Sequence, residues 1–145
     1  MTKTFDFGFG PVPAHRHSNG DGWVADSASV AESAWVERNA QVFGNAEVCD
    51  NARICGNAKV FGEARVSGDA EVSGDAWVFD NAEVSGRARV TGRARVAGDA
   101  WVYGAARVYG KAEVCGKAEV YGKAEVFGNA RVYGDAQIFE GDHHA

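Results

Sequence analysis

An aliphatic residue occupies every sixth position of this chain, without interruption, from Val24 to Ile138. Of the 20 residues in the series, 18 are valine and two are isoleucine. Alanine lies two positions earlier in every unit from Ala28 to Ala136, and glycine lies two positions later in 14 of the 20 units. The unit therefore reads Ala-x-Val-x-Gly-polar, and a repeat this regular indicates one structural element stacked many times.

Each unit predicts a short strand followed by a sharp corner. Alanine and valine are two residues apart, so on a strand they share one face and the two x residues point the other way. A pair such as Gly44-Asn45 tolerates the positive φ that a tight turn needs. Because the repeat leaves no room for longer loops, it predicts a solenoid without insertions, in which every rung is buried by the next.

The outward aromatic residues indicate how many strands make one coil. Phe43, Phe61 and Phe79 are 18 residues apart, while the equivalent positions between them hold cysteine or serine. A column with this period means three hexads per coil. The expected fold is therefore an all-β, triangular parallel β-helix of about seven 18-residue coils, roughly 30 Å long at about 4.8 Å per stacked strand.

The chain contains no leucine, which is otherwise among the commonest residues in globular proteins. A narrow prism admits one branched aliphatic residue and one methyl group per rung, and a longer side chain would disturb the stacking. The repeat accounts for most of the chain. We expect an N-terminal lead-in or cap at residues 1–22, the 20-hexad β-helix at 23–140 and a tail at 141–145, with Phe5, Phe7 and Phe9 available to fold over the first coil.

Hexads such as Ala130-Arg131-Val132-Tyr133-Gly134-Asp135 resemble the hexapeptide-repeat, left-handed parallel β-helix superfamily. That superfamily includes acyltransferases, γ-class carbonic anhydrases and many bacterial and phage repeat proteins, and the resemblance covers residues 23–140. It implies a left-handed coil, whereas the general crossover rule favours a right-handed one. Residues 13–25 are also similar to the lead-in of prophage-type hexapeptide proteins.

The resemblance does not transfer an active site to this chain. The acyltransferases typically use a histidine base in or beside the coils, and the carbonic anhydrases place three histidines around zinc. No histidine and no insertion occurs between Trp23 and Glu140. We therefore expect no catalytic residues and no cofactor, and we keep an acyltransferase-like enzyme with a site between subunits as the alternative.

All four histidines lie near the chain ends. His15 and His17 are two residues apart and are weak candidates for a metal site. The alternative is that they belong to a solvated or capping loop. His143 and His144 lie at the other end of the solenoid, too far away to join them in one monomer.

Charge is unevenly distributed along the chain. Residues 21–85 carry a net charge of −8, and residues 86–125 carry +4. Arginine beside aromatic rings suits an anionic planar ligand such as a nucleotide. The candidate ligand-binding residues, on more than one face, are Arg89, Arg107, Tyr109, Arg95, Trp101, Tyr103 and Tyr121. Alternatively, the charges only solvate outward ladders, as the series Glu47, Arg65 and Glu83 suggests.

The outward aromatic column predicts self-association. With Trp77 it forms an apolar stripe, which a monomer seldom leaves in water. The last coil would offer unpaired strand edges to a partner, unless the C-terminal tail buries them. The candidates for side-by-side or end-to-end contacts are Phe43, Phe61, Phe79, Trp77, Ile138 and Phe139. The alternative is a set of half-exposed ladders that stack only on themselves.

No two of the three cysteines, Cys49, Cys55 and Cys115, are 18 residues apart, so no axial disulfide is expected. Free thiols fit a reducing interior of a cell. The first residues lack an apolar signal core. We expect a protein of the bacterial or phage-infected cytoplasm that binds neither membrane nor, with a pI near 5.3, duplex DNA.

The expected function is a non-catalytic, self-associating scaffold or binding module. Its most concrete form is a phage accessory or anti-defence protein that binds a host protein or a nucleotide signal.

Overall fold

A computed structural model describes residues 3–139 and the backbone of residues 142–144. All regular structure in these residues is β, and no helix among them is long and apolar enough to cross a membrane. The strands are β1 (Thr4–Asp6), β2 (Pro11–Arg16), β3 (Trp23–Ala25), β4 (Ser29–Val30), β5 (Trp35–Val36), β6 (Gln41–Val42), β7 (Glu47–Val48), β8 (Arg53–Ile54), β9 (Lys59–Val60), β10 (Arg65–Val66), β11 (Glu71–Val72), β12 (Trp77–Val78), β13 (Glu83–Val84), β14 (Arg89–Val90), β15 (Arg95–Val96), β16 (Trp101–Val102), β17 (Arg107–Val108), β18 (Glu113–Val114), β19 (Glu119–Val120), β20 (Glu125–Phe127), β21 (Arg131–Val132), β22 (Gln137–Ile138) and β23 (Asp142–His144).

The strands form three sheets that share one axis. From β3 onward each strand pairs in parallel with the strand three places further along the chain, so that Val66 lies opposite Val84. The sheet orders are β1-β2-β3-β6-β9-β12-β15-β18-β21, then β4 to β22 in steps of three, and β5 to β23 in steps of three. The predicted β-solenoid with coils of about 18 residues is therefore confirmed, with about six turns where the sequence predicts about seven.

Each corner is a tight turn between two strands. At a representative corner the Ala46 N–H donates to the Phe43 carbonyl at 3.4 Å, and Gly44 has φ of 66°. A Cβ on Gly44 would lie only 2.9 Å from the Gly62 nitrogen of the next coil. Glycine is therefore favoured at this corner both for its left-handed backbone and for the close approach of stacked corners.

Aspartate replaces glycine at two of these left-handed corners. Asp50 and Asp80 both have φ of 58°. The Asp50 carboxylate accepts a hydrogen bond from the Gly68 N–H at 3.1 Å, and the Asp80 carboxylate accepts one from the Gly98 N–H at 3.2 Å. These bonds to the next coil help aspartate to occupy a conformation that most side chains avoid.

The core consists of the repeated alanine and valine residues. Every aliphatic residue of the series from Val36 to Val126 is fully buried, as is every alanine from Ala34 to Ala124. Valines of successive coils lie in register, so each fills the space beside the next. This arrangement explains why the chain uses branched, short side chains in its interior and no leucine.

The lead-in caps the first coil. β2 pairs antiparallel with β3, with Ala14 opposite Ala25, and β1 pairs with β2. At the third sheet, the Gly22 N–H donates to the Val36 carbonyl at 2.8 Å and the Val36 N–H donates to the Asn19 carbonyl at 3.1 Å. The N-terminal edges of two sheets therefore already have hydrogen-bond partners from the same chain.

The C-terminal end differs from the N-terminal end. β23 continues the third sheet with a register shortened by one residue, because Glu125 pairs with Asp142 and not with His143. In the described part of the chain, β21, β22 and β23 each have a neighbouring strand on one side only. The domain boundary predicted at residue 140 and the side chains of His143 and His144 lie outside the described residues.

Candidate functional site

The three sheets present three outward faces, and each hexad contributes two outward side chains to its face, one on the strand and one just after it. We name the faces by their sheets. The first face includes Lys59, Phe61, Trp77 and Arg95, the second includes Trp101, Tyr103, Glu119 and Tyr121, and the third includes Glu71, Arg89, Arg107 and Tyr109. Residues in one column lie one rung apart, so their side chains stack.

The aromatic column on the first face is partly covered by the chain itself. Phe43, Phe61 and Phe79 stack nearly parallel, with centroid separations of 4.8 and 5.1 Å. Phe7 of the lead-in stacks on Phe43 with centroids 4.8 Å apart, which leaves Phe43 only 7% exposed. Phe43 therefore does not belong to an accessible stripe, because the ring that covers it comes from the same chain.

Trp77 is held between two cations. The Lys59 ammonium lies 5.5 Å from its ring centroid and the Arg95 guanidinium 4.9 Å. Arg95 therefore lies on the first face, against Trp77, and not beside the aromatic residues of the second face. A cation over an indole ring is already in a favourable position. Arg95 is therefore less available to a ligand than the sequence analysis predicts.

On the second face Trp101 is 47% exposed. Tyr103 stacks on Tyr121 with centroids 5.0 Å apart, and its hydroxyl donates to Glu119 Oε1 at 3.4 Å. Desolvation, and then the negative charge of Glu119, raise the pKa of Tyr103 above its usual value. Phe139 continues this column at 5.9 Å from Tyr121 and is 54% exposed.

The third face brings together two of the predicted ligand-binding arginines and one aromatic residue. Arg89 lies directly opposite Arg107 in the strand register, and Arg89 Nε is 3.6 Å from Glu71 Oε2. Arg107 has no ion pair within the described residues. Tyr109, in the neighbouring column, stacks on Phe127 with centroids 5.2 Å apart. The predicted ligand-binding residues are thus divided among three faces and do not form one site.

Sequence reasoning missed a shallow depression of about 390 Å³ at the start of the third face, lined by Trp35, Glu37, Arg53 and Cys55. Burial, the charge of Glu37 and a hydrogen bond from the thiol to Glu37 raise the pKa of Cys55 to about 11. The available signal was the 18-residue spacing of Glu37 and Cys55, which places them in one column.

The two N-terminal histidines have separate partners. His15 Nδ1 lies 2.7 Å from Asp26 Oδ1, and both side chains are about half exposed. His17 is buried, and its Nε2 lies 2.8 Å from the Ala34 carbonyl oxygen. Since a carbonyl only accepts, Nε2 carries the proton and donates. No group of three potential metal ligands is assembled within the described residues.

Charged residues on the faces form axial ladders of alternating sign. Arg65 Nε lies 3.3 Å from Glu47 on one side, and Arg65 Nη1 lies 3.9 Å from Glu83 on the other. Arg131 Nε lies 3.3 Å from Glu113. The pairs are largely exposed, so each contributes little to stability.

The sequence matches no protein-family model, and comparisons with curated proteins and with solved structures give no significant match.

Proposed function

We propose that this chain is a non-catalytic β-solenoid scaffold or binding module that associates with itself through its outward faces. The observation that carries the proposal is the exposure of two tryptophans on flat faces: Trp35 is 43% and Trp101 is 47% exposed. Tryptophan is enriched among the residues that dominate the energy of protein interfaces. The core is occupied by alanine and valine, so binding must use the outward residues.

The test is the oligomeric state of the purified chain across a wide concentration range. Sedimentation velocity and light scattering are expected to show reversible association, and Trp35→Ser and Trp101→Ser are expected to weaken it or the binding of a partner. Phe9→Ser is a suitable control, because Phe9 is also exposed but belongs to the lead-in and not to a coil of the solenoid. A monomer at every concentration would rule out self-association.

A second candidate function is the binding of an anionic planar ligand on the third face. It is favoured by the Arg107 guanidinium, which has no ion pair within the described residues and lies beside the Tyr109 column. Calorimetric titration of mono- and cyclic nucleotides against the wild type and Arg107→Glu would test it. Binding by the wild type that is lost in the variant supports this function, and no heat with either protein rejects it.

The enzyme alternative depends on the His15–Asp26 pair, in which a carboxylate orients an exposed imidazole. An acyltransferase-like site between subunits would need this imidazole to face a second copy. Binding of an acyl-coenzyme A that is lost in His15→Ala would favour the enzyme. Absence of binding by an associated form of the chain would remove it.

The hexad pattern is also the basis for proposing that the chain is a left-handed member of the hexapeptide-repeat superfamily. The lead-in resemblance supports a phage or prophage origin and a role as an accessory or anti-defence protein that binds a host protein or nucleotide signal. Three cysteines that are free in the described residues suit a cytoplasmic location. Vibrational and electronic circular dichroism of aligned samples would test the handedness.

A further inference from the structure

Two adjacent rungs of the third face carry opposite charges at three matching positions. One rung presents Asp69, Glu71 and Asp75, which we call the acidic rung. The next presents Arg87, Arg89 and Arg93, which we call the basic rung. The residues share columns, because Glu71 is the strand partner of Arg89, and the Asp69 and Asp75 N–H groups donate to the carbonyls just before Arg87 and Arg93.

These charges are only partly paired within one chain. Glu71 and Arg89 approach to 3.6 Å, whereas neither Arg87 nor Arg93 forms an ion pair in the described part of the chain. Five of the six residues are exposed and Glu71 is half-buried. The two rungs therefore offer a band of three negative charges directly beside a band of three positive charges.

We propose that the third face pairs with the third face of a second copy in an antiparallel, twofold dimer. This inference rests on the self-association proposed above and assigns it a surface and a symmetry. The twofold axis lies in the interface, perpendicular to the solenoid axis and between the two rungs. It places the acidic rung of each copy on the basic rung of the other. Three opposite-charge contacts then form twice, as an isologous interface requires.

Other arrangements of the same face are electrostatically worse. A parallel dimer with its twofold axis along the solenoid sets acidic rung against acidic rung and basic rung against basic rung, and like-charge contacts disfavour wrong partners. A linear polyanion lying along the face would meet the basic rung but would also be repelled by the acidic rung. The antiparallel pair satisfies both bands at once.

The same operation also covers exposed apolar surface. It brings the first rung of the face, with Trp35 at 43% exposure, onto the rung that carries Glu125 and Phe127 of the other copy. Arg53 and Arg107 also meet, but Arg53 lies 3.9 Å from Glu71 of its own chain and Arg107 is in register with Glu125. Because the operation keeps the columns, Trp35 meets Glu125 of the other copy, and Phe127 lies in the adjacent column. The exposed tryptophan is thereby covered at the edge of the charged centre.

Charge reversal tests this dimer. One variant carries Asp69→Lys, Glu71→Lys and Asp75→Lys, and the other carries Arg87→Glu, Arg89→Glu and Arg93→Glu. Each variant alone is expected to form its dimer with an affinity at least roughly tenfold lower than that of the wild type, because like charges then face each other across the interface. An equimolar mixture of the two variants is expected to restore dimers, now heterodimers, and added salt to weaken both the restored and the wild-type species.

A third variant distinguishes loss of charge complementarity from misfolding of the triple variants. It combines all six substitutions in one chain, which exchanges the two bands and preserves their complementarity within and between copies. It is expected to dimerise like the wild type, with circular dichroism confirming the fold of all three variants. If neither the mixture of the two triple variants nor the variant with six substitutions dimerises, the proposal is overturned.

The possible failures are distinguishable. A wild type that is monomeric at all concentrations overturns both the self-association and this dimer. If both triple variants associate as well as the wild type does, the proposed self-association stands but this assignment of the face is overturned. Salt-sensitive binding of a single-stranded oligonucleotide that is lost only in the arginine variant, without rescue of dimers on mixing, identifies the face as a polyanion site and also overturns the dimer.

Discussion

Phe7 stacks on Phe43 with ring centroids 4.8 Å apart and ring planes inclined by 19°, although 36 positions separate them in the sequence. The contact joins the lead-in to the outer face of the solenoid, where Phe5 also stacks on Trp23 at 4.7 Å. It converts the first ring of an outward aromatic column into a buried one. The N-terminal cap is therefore held by side chains on the surface of the prism as well as by hydrogen bonds at its end.

Phe7→Ala is expected to lower the free energy of unfolding of the cap by about 3 kcal/mol, because it removes a buried ring and exposes Phe43. Urea denaturation followed by tryptophan fluorescence, together with limited proteolysis of the lead-in, measures the effect. Phe9→Ala is the matched control. Since Phe9 is 84% exposed, a change within about 0.5 kcal/mol is expected. Equal effects of the two substitutions would show that the Phe7 contact does not hold the cap.

His17→Ala is expected to destabilise the protein by about 1–3 kcal/mol, since it leaves the Ala34 carbonyl without its donor at a buried position. His15→Ala, which removes only a half-exposed pair with Asp26, is expected to cost less than about 1 kcal/mol. Thermal and chemical denaturation of both variants check the difference. A larger loss for His15 would contradict the capping role assigned to His17.

Gly98→Ala and Gly134→Ala separate backbone conformation from packing at the corners. Both glycines have nearly the same φ, 65° and 66°, but a Cβ on Gly98 would lie 2.8 Å from the Gly116 nitrogen, whereas one on Gly134 has no atom within 4 Å. Gly134→Ala is therefore expected to cost about 1–2 kcal/mol for the left-handed backbone alone. Gly98→Ala is expected to cost clearly more in the same denaturation experiment. Similar costs would mean that the stacked corners can separate freely.

Val72 tests why the chain contains no leucine. It is fully buried and lies in register with Ile54 on one side and Val90 on the other. Val72→Leu is expected to destabilise the solenoid by about 1–3 kcal/mol because the longer side chain must displace the valines of neighbouring rungs. Val72→Ile should cost much less, as the same column already accommodates isoleucine. Equal stability of the leucine and isoleucine variants would remove the packing explanation.

The Cys55 thiol is expected to titrate at about pH 11, compared with 9.0 for an unperturbed cysteine. In a background with Cys49→Ser and Cys115→Ser, its alkylation at pH 8 should be slow and should accelerate towards pH 11. Adding Glu37→Gln removes a negative charge and an acceptor for the thiol proton, so the pKa falls and alkylation at pH 8 becomes faster. A Cys55 that titrates near 9 in the presence of Glu37 would contradict this environment.

The path of the backbone was predictable because its determinants are local and repeated. Each hexad specifies a strand and a corner, and the spacing of Phe43, Phe61 and Phe79 indicates three strands per coil. The sequence also predicted that Phe7 could fold over the first coil, but the column gave no sign that Phe7 would stack on Phe43. That contact depends on how a non-repetitive segment folds back, and no period in the sequence encodes it.

The candidate sites were less predictable for a related reason. Register places Arg89 opposite Arg107, as the 18-residue spacing implies. It likewise places Arg95 next to Trp77 in one column. It does not determine that the Arg95 guanidinium lies over the indole ring or that His17 bonds to Ala34, because long side chains choose among several neighbours by local electrostatics and burial. The candidate ligand-binding residues, which the sequence already placed on more than one face, therefore have side-chain partners that only the structure shows.

By itself, the sequence determined the three-sided solenoid, its alanine and valine core and the column in which every outward residue lies, since all three follow from a strict period of six. Only the tertiary structure decided which outward residues stay exposed, where the lead-in lies and which charges remain unpaired beside one another. Those properties depend on contacts between residues that are close in space and unrelated by the repeat.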